Sequence, residues 1–294
     1  MSWHPLGRLF PAEGYAALPY AVAGAGRTAR VFFSGRDAQN RSSISACSLD
    51  LDRLAISEVT PQPLLAHGEP GAFDESGCSM SCVVEHGGRW FLYYTGWTLG
   101  RTVPFYLAAG LAVSDDGGRT FRRVSRAPLL DRNDADPFLT ASPCVVLDGG
   151  VWRMWYVSAL EWEPRAEGPR HRYLIKYAES RDGISWKREG HIALPFDGPD
   201  EYAMGRPHVV KEGGKYTMWA CIRGDRYRLL RAESDDGLRW TRMPGAAMPP
   251  ASGWDSEMQA YPMLLRDGLR SFLFYNGNGY GATGFGCAVS EDGA

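Results

Sequence analysis

Short runs of apolar, β-branched and aromatic residues, broken by glycine-containing turns, make up the chain, and the 3.6-residue periodicity of an amphipathic helix is absent throughout. One unit recurs: an apolar strand, a turn with glycine, then an aromatic strand. It reads Cys82-Val-Val-Glu-His-Gly-Gly-Arg-Trp-Phe-Leu-Tyr-Tyr94, and it returns at 143–156, 207–219 and 262–275, with 19–33 as a looser fifth copy. A second phrase follows four of these. It begins at Ser114, Ser180, Ser234 and Ser290, in each case Ser-x-Asp-Gly, at separations of 66, 54 and 56 positions. An Asp-Gly pair between two strand-like runs marks a tight turn, because glycine takes positive φ at little steric cost.

Internal repeats of this length point to an array of small sheets. Each unit is expected to form four antiparallel strands, a to d, with Ser-x-Asp-Gly at the c–d turn. Five such sheets set radially make an all-β, five-bladed β-propeller, one domain over residues 1–294. The last copy stops at Ser290-Glu-Asp-Gly-Ala294, short of its aromatic and its fourth strand, while the chain begins Met1-Ser2-Trp3-His4-Pro5-Leu6. The N-terminal strand near Trp3 is therefore expected to join the last blade and close the ring.

Strand alternation then sorts the loops into two ends. The a–b and c–d turns share one face, so the Ser-x-Asp-Gly turns are scaffolding; a catalytic apparatus is not copied four times. The opposite face carries the entries to strand a and the b–c loops. Seven positions before Ser81, Pro143, Pro207 and Pro262 stand Asp74, Asp136, Asp200 and Asp255, with Glu75, Glu201 and Glu257 close behind. The first copy breaks the rule with Ala12, followed by Glu13. Acids crowded at one rim repel, and burial raises a carboxyl pKa, which is how a general acid and a base coexist. Turn capping by the same aspartates is the competing structural reading. Arg206 and His208 flank Pro207, and Arg223, Asn276, Asn278 and Trp97 lie in b–c loops. Arginine suits a carboxylate or phosphate, and tryptophan stacks on a sugar ring.

Composition narrows the function. With 44% hydrophobic residues and a formal net charge of −2, the chain fits a globular protein and lacks the basic excess of a nucleic-acid binder. The opening residues lack an apolar leader, and no stretch nears the roughly 18 apolar residues of a membrane span, so a cytoplasmic location is expected. The six cysteines lie mostly in apolar runs, read as buried or free thiols, and neither they nor the six histidines show zinc-ligand spacing. No cofactor or metal is implied. The glycine-rich segment 276–286 lacks the Lys-Ser/Thr of a phosphate-binding loop, and no Gly-x-Ser-x-Gly phrase supports a serine nucleophile.

Three phrases carry a resemblance: Met204-Gly-Arg-Pro-His208, Trp254-Asp-Ser-Glu-Met258 with Tyr261-Pro262, and Tyr275-Asn-Gly-Asn-Gly-Tyr-Gly281 with Gly284-Phe-Gly286. Over nearly its whole length the chain resembles the five-bladed propeller glycosidases, which include arabinanases, invertase-like enzymes and mannoside phosphorylases. It is most similar to glycosidase-like proteins encoded beside polysaccharide-biosynthesis genes. The Ser114–Phe121 phrase is also similar to the Asp-box of six-bladed sialidases, but only five repeats are countable and no arginine triad stands out. The glycosidase resemblance implies an enzyme acting on a glycosidic or sugar-derived bond. Glu257 would be its general acid, Asp74 the base or nucleophile, and Asp136 the group tuning the acid. Glu75, Trp97, Glu201, Arg206, His208, Arg223, Asp255, Asn276 and Asn278 would bind a small carbohydrate or sugar-derived substrate. The missing first-blade aspartate keeps two alternatives open: a non-catalytic carbohydrate-binding or accessory protein of glycan biosynthesis, and a diverged sugar-nucleotide or natural-product tailoring enzyme.

Overall fold

A computed structural model of the protein describes residues 2–10, 15–245, 248 and 253–291, and holds no α-helix among them. Glu13 and Ala12 lie outside the described residues. The hydrogen-bond ladders sort the strands into five antiparallel groups. Group one holds Ala16–Ala23, Thr28–Arg36, Ser42–Asp50 and the short Ala55–Ser57. Group two holds Gly77–His86, Arg89–Leu99, Phe105–Ser114 and Arg122–Arg123. Group three holds Thr140–Asp148, Val151–Glu163 and Arg170–Ser180, edged by Trp186–Lys187 and Ile192–Leu194. Group four holds Ala203–Glu212, Lys215–Arg223, Tyr227–Ser234 and Thr241–Arg242. Group five holds Ala260–Asp267, Arg270–Asn276 and Phe285–Ser290, and its fourth strand is the N-terminal His4–Phe10, antiparallel to the last one.

Single parallel pairs, Ser42 with Gly77 and Tyr173 with Ala203, tie groups one to two and three to four, so the ladders form sheets of eight, nine and four strands. The first strands of the groups pack in cyclic order, each against the next, and that of group five against that of group one.

The core is divided accordingly. One apolar cluster fills each junction: Phe32, Ile44, Met80 and Leu92 between groups one and two, and Tyr93, Leu111, Trp152 and Met154 between two and three. Trp155, Ile175, Met204 and Met218 fill the next, Trp219, Leu264 and Leu273 the fourth, and Val31, Leu49, Phe272 and Phe285 the fifth. Each sheet is buried on both faces, which is why its strands read as nearly continuous apolar runs rather than a clean alternation.

The repeated phrase has the expected structural duty. In each of three turns a serine Oγ bonds an aspartate Oδ1, Ser114 with Asp116, Ser180 with Asp182 and Ser234 with Asp236. The aspartate then accepts the backbone N–H groups beyond it. The second strand of the preceding group staples the turn: Tyr93 Oη donates to the Gly183 carbonyl at 2.8 Å, and Trp155 Nε1 to that of Gly237 at 2.8 Å. Gly183 has φ +73°, and a Cβ there would meet the Tyr93 hydroxyl and the Trp152 ring, so the position requires glycine. The aromatic after each turn packs edge-on against the same neighbour: Phe121 on Phe32, Trp186 on Tyr93 and Trp240 on Trp155. Trp3 packs edge-on against Trp219 at 5.5 Å in the same way, from the N-terminal strand's side of group five.

Candidate functional site

Proline inside an inner strand removes a ladder donor and normally argues against strand structure. Here four inner strands carry one, and the register shows how. Pairing skips residues 18–19, 142–143, 206–207 and 261–262, and in group two residue 81, so each first strand bulges at the same point. Leu18, Ser142, Arg206 and Tyr261, each just before proline, have φ of 47–59°. Bulges re-aim side chains. All four of these residues line a cavity of about 420 Å³, bounded by residues of every group.

The walls of this axial cavity are aromatic and basic. Tyr15 and Arg36 come from group one, Trp97 and Phe105 from two, His171 and Tyr173 from three, Arg223 and Tyr227 from four, and Tyr261 and Tyr280 from five. No aspartate or glutamate borders it among the described residues. Trp97 is oriented by its indole N–H, which donates to Ser42 Oγ at 2.8 Å. Tyr173 and Tyr227 share a hydroxyl–hydroxyl hydrogen bond of 2.8 Å, and burial pushes both phenols up, so they stay protonated. His171 stacks on Tyr173 with ring centroids 4.5 Å apart, and its buried Nε2 has no hydrogen-bond partner. Burial, then the charges of Arg223 and Arg170, pull His171 down to about 4, leaving a neutral imidazole at neutral pH.

Arg206 forms part of the cavity boundary but is 2% exposed; it donates to the carbonyls of Met80 and Pro19, at 2.7 and 3.1 Å, and so links group four to groups two and one. Its partners are main-chain oxygens, not the acids of the rim.

The acids picked out by spacing are elsewhere. Asp74, 1% exposed, accepts Tyr94 Oη at 3.1 Å and Arg123 Nε at 2.8 Å. Asp136, 0% exposed, accepts Tyr156 Oη at 2.9 Å and Arg188 at 2.8 Å, with Lys176 Nζ at 3.3 Å. Asp255 is buried on Tyr275 Oη at 2.9 Å and Gln259. Each is a lock joining the entry of a group to its second strand, and in groups two and three also to an arginine beyond the repeated turn. Burial and then the carboxylate raise the Tyr94, Tyr156 and Tyr275 phenols, which keeps them donors. Group four has Ala220 in the tyrosine position, and there Glu201 takes the arginine instead, in two 2.8 Å bonds from Arg242; Asp200 is exposed. Neither Asp74 nor Asp136 borders the axial cavity.

Glu257 is exposed, and it borders a second groove of about 660 Å³ with Glu201, Asp255, Arg242 and Met258. Asn278 accepts the Glu257 N–H at 2.8 Å and so shapes that loop. Glu75 accepts the Gly71 N–H within its own turn. His208 is buried, its Nε2 on the Leu264 carbonyl at 3.1 Å. Asn276 is buried, donating to Ala16 and Gly284 carbonyls and accepting the Leu18 N–H, which fastens group five to group one. Of the residues expected to bind substrate, the fold brings Trp97, Arg206 and Arg223 to the axial cavity, and it adds Tyr15, Arg36, His171, Tyr173, Tyr261 and Tyr280, which spacing did not select. A signal for the locks was present: each buried aspartate precedes its tyrosine by 20 residues. The bulges were signalled by proline at one position of four inner strands.

No family model matches the chain. The Mycobacterium tuberculosis (strain ATCC 25618 / H37Rv) protein Rv1502 is 41% identical over 303 residues, covering 99% of this chain and 100% of that protein. The chain belongs to the Rv1502 family. Solved structures show the fold of this Rv1502-family protein elsewhere. A glycoside hydrolase superposes with a TM-score of 0.77 at 16% identity, over 98% of this chain and 92% of its own. A β-1,2-mannobiose phosphorylase from Listeria innocua, solved with β-1,2-mannobiose, gives 0.69 at 12%, over 97% and 93%. At these identities the likeness is one of fold.

Proposed function

We propose that this Rv1502-family protein is a five-bladed propeller of glycosidase-like kind that binds a sugar or sugar-derived ligand in its axial cavity. Five antiparallel groups, cyclic packing of their first strands and an N-terminal strand in the last group support the ring. The observation that carries the functional reading is the cavity: about 420 Å³, bounded by all five groups, walled by Trp97, Phe105 and tyrosines, with Arg36, Arg223 and His171 among them. That size and lining suit a small ligand, and flat aromatic faces suit the apolar face of a sugar ring.

Paired-carboxylate hydrolysis needs two acids flanking one bond, about 5–9.5 Å apart. Asp74 and Asp136 are closed on their own tyrosines and arginines, and Glu257 borders the other groove, so binding is the better-supported part of the reading. Glu257 and Asp255 on the second groove favour one alternative, acid chemistry there rather than on the axis. Two variants separate these. Trp97→Ala should weaken sugar binding by about tenfold or more, measured calorimetrically, while Glu257→Gln leaves it unchanged. Loss of turnover on a panel of aryl glycosides in Glu257→Gln, with Trp97→Ala active, would move the site to the second groove.

A further inference from the structure

We infer that the ligand of the axial cavity is anionic, its carboxylate or phosphate group being gripped by Arg223 and Arg36; this rests on the axial cavity being the binding site.

At the inner-strand entries and along the rim, several guanidinium groups find carboxylates. Arg123 is on Asp74, Arg188 on Asp136, Arg242 on Glu201, and at the rim Arg170 is on Glu163 and Arg172 on Glu161. Among the described residues Arg36 and Arg223 have no such partner, although both border a cavity. Arg223 sits among rings, 5.3 Å from the centroid of Tyr227, 5.5 Å from Tyr202 and 5.9 Å from Tyr280. Arg36 lies over Tyr15 at 4.1 Å and spends a donor on the neutral amide of Asn40.

The two share one wall. Tyr15 Oη donates to the Tyr280 carbonyl at 2.9 Å, so Arg36, Tyr15, Tyr280 and Arg223 run as a continuous set of contacts from group one through five to four. Arg206 adds a third positive charge at the cavity boundary with its donors already on carbonyls, which raises the potential without competing for the ligand. Among the described residues no carboxylate borders the cavity to offset these charges. Cation–π contact holds a guanidinium in place but leaves its in-plane N–H fork free, and that fork matches a carboxylate or phosphate. The neutral His171, its Nε2 unpartnered, is placed for a hydroxyl rather than a charge.

The test is calorimetric titration of the full chain at about 50 mM salt with four probes: glucose, glucuronate, glucose 6-phosphate and inorganic phosphate. Glucuronate or glucose 6-phosphate should bind at least about tenfold tighter than glucose, and raised salt should shrink the gap. Whichever acid wins identifies the source of the anion. In Arg223→Met the preference should disappear, with Arg223→Lys restoring part of it; if Arg223→Met does not fold, Arg36→Met carries the same comparison. Phosphate binding that is lost in these variants, with no sugar binding, would uphold the anion grip and overturn the sugar reading. Glucose binding as tightly as its acids would uphold the sugar reading and overturn the grip. Silence from all four probes would overturn both.

Discussion

The entries to the inner strands and the cavity those strands enclose carry opposite chemistry. At the entries to groups two and three, the buried carboxylates are paired: Asp74 by Tyr94 and Arg123, Asp136 by Tyr156, Arg188 and Lys176. In the cavity, Arg36 and Arg223 face a space with no acid on its border among the described residues. The difference teaches how to read a repeat. A buried charge must be paired, so an acid copied from group to group with its own tyrosine is part of the mechanism that holds each sheet together. Cavity residues are not copied. The same inner-strand bulge presents Leu18, Ser142, Arg206 and Tyr261 in different groups, so the cavity border varies where the frame repeats.

The frame side of the comparison can be broken hardest at the chain end. Deleting residues 1–10 removes strand His4–Phe10, the Trp3–Trp219 contact and part of the group four–five core, and should abolish cooperative thermal unfolding by calorimetry. A truncated chain that melts like the whole one would leave group five self-sufficient. Next comes a lock. Asp136→Asn leaves Arg188 and Lys176 without their buried counter-charge, and should cost about 3–5 kcal/mol by denaturant titration while ligand affinity in the surviving native protein changes little. An affinity loss without a stability loss would place Asp136 in the site after all.

Two histidines sharpen the same contrast at smaller size. Burial, then Arg206, hold His208 at about 3, and His171 is held at about 4; both are neutral in the fold and titrate near 6.5 when unfolded. Their contribution is complete above pH 6.5 and lost as pH falls toward 4, because the unfolded chain takes up protons first. Between pH 6.5 and 5 the His208 share should be about 2 kcal/mol, and His208→Gln should flatten that slope in a melting series. His171→Phe keeps the stack on Tyr173, and should weaken ligand binding with little change in melting. The smallest effect is at a repeated turn: Asp182→Ala removes caps on Ile184 and Ser185, and should cost about 1 kcal/mol with no effect on binding.

Much of the frame was legible in the sequence, because it is repeated. Ser-x-Asp-Gly fixed the turns, the aromatic strands fixed the interfaces, and the missing aromatic after Ser290 pointed to Trp3. The acids were found by the same logic and assigned chemistry, although the 20-residue step from Asp74 to Tyr94, Asp136 to Tyr156 and Asp255 to Tyr275 pairs them off. Group four tests that step, since Asp200 meets Ala220 and is left exposed. The cavity was less legible for a geometric reason. Strand alternation alone sends a residue before proline to an ordinary sheet face, and only the bulge turns Tyr261 and Ser142 inward; His171 reaches the cavity from the third strand of group three, far from any motif, and Tyr280 from a loop of group five within the Tyr275–Gly281 phrase.

The most direct test of the division between frame and cavity is a crystal structure of the protein soaked with the tightest-binding of the sugar probes. The sugar should lie on the axis against Trp97 and Tyr261, its acidic group within hydrogen-bond reach of Arg223, with Asp74 and Asp136 still closed on their tyrosines. A sugar lodged in the second groove against Glu257, or an Asp74 carboxylate released from Tyr94 to touch it, would contradict the account.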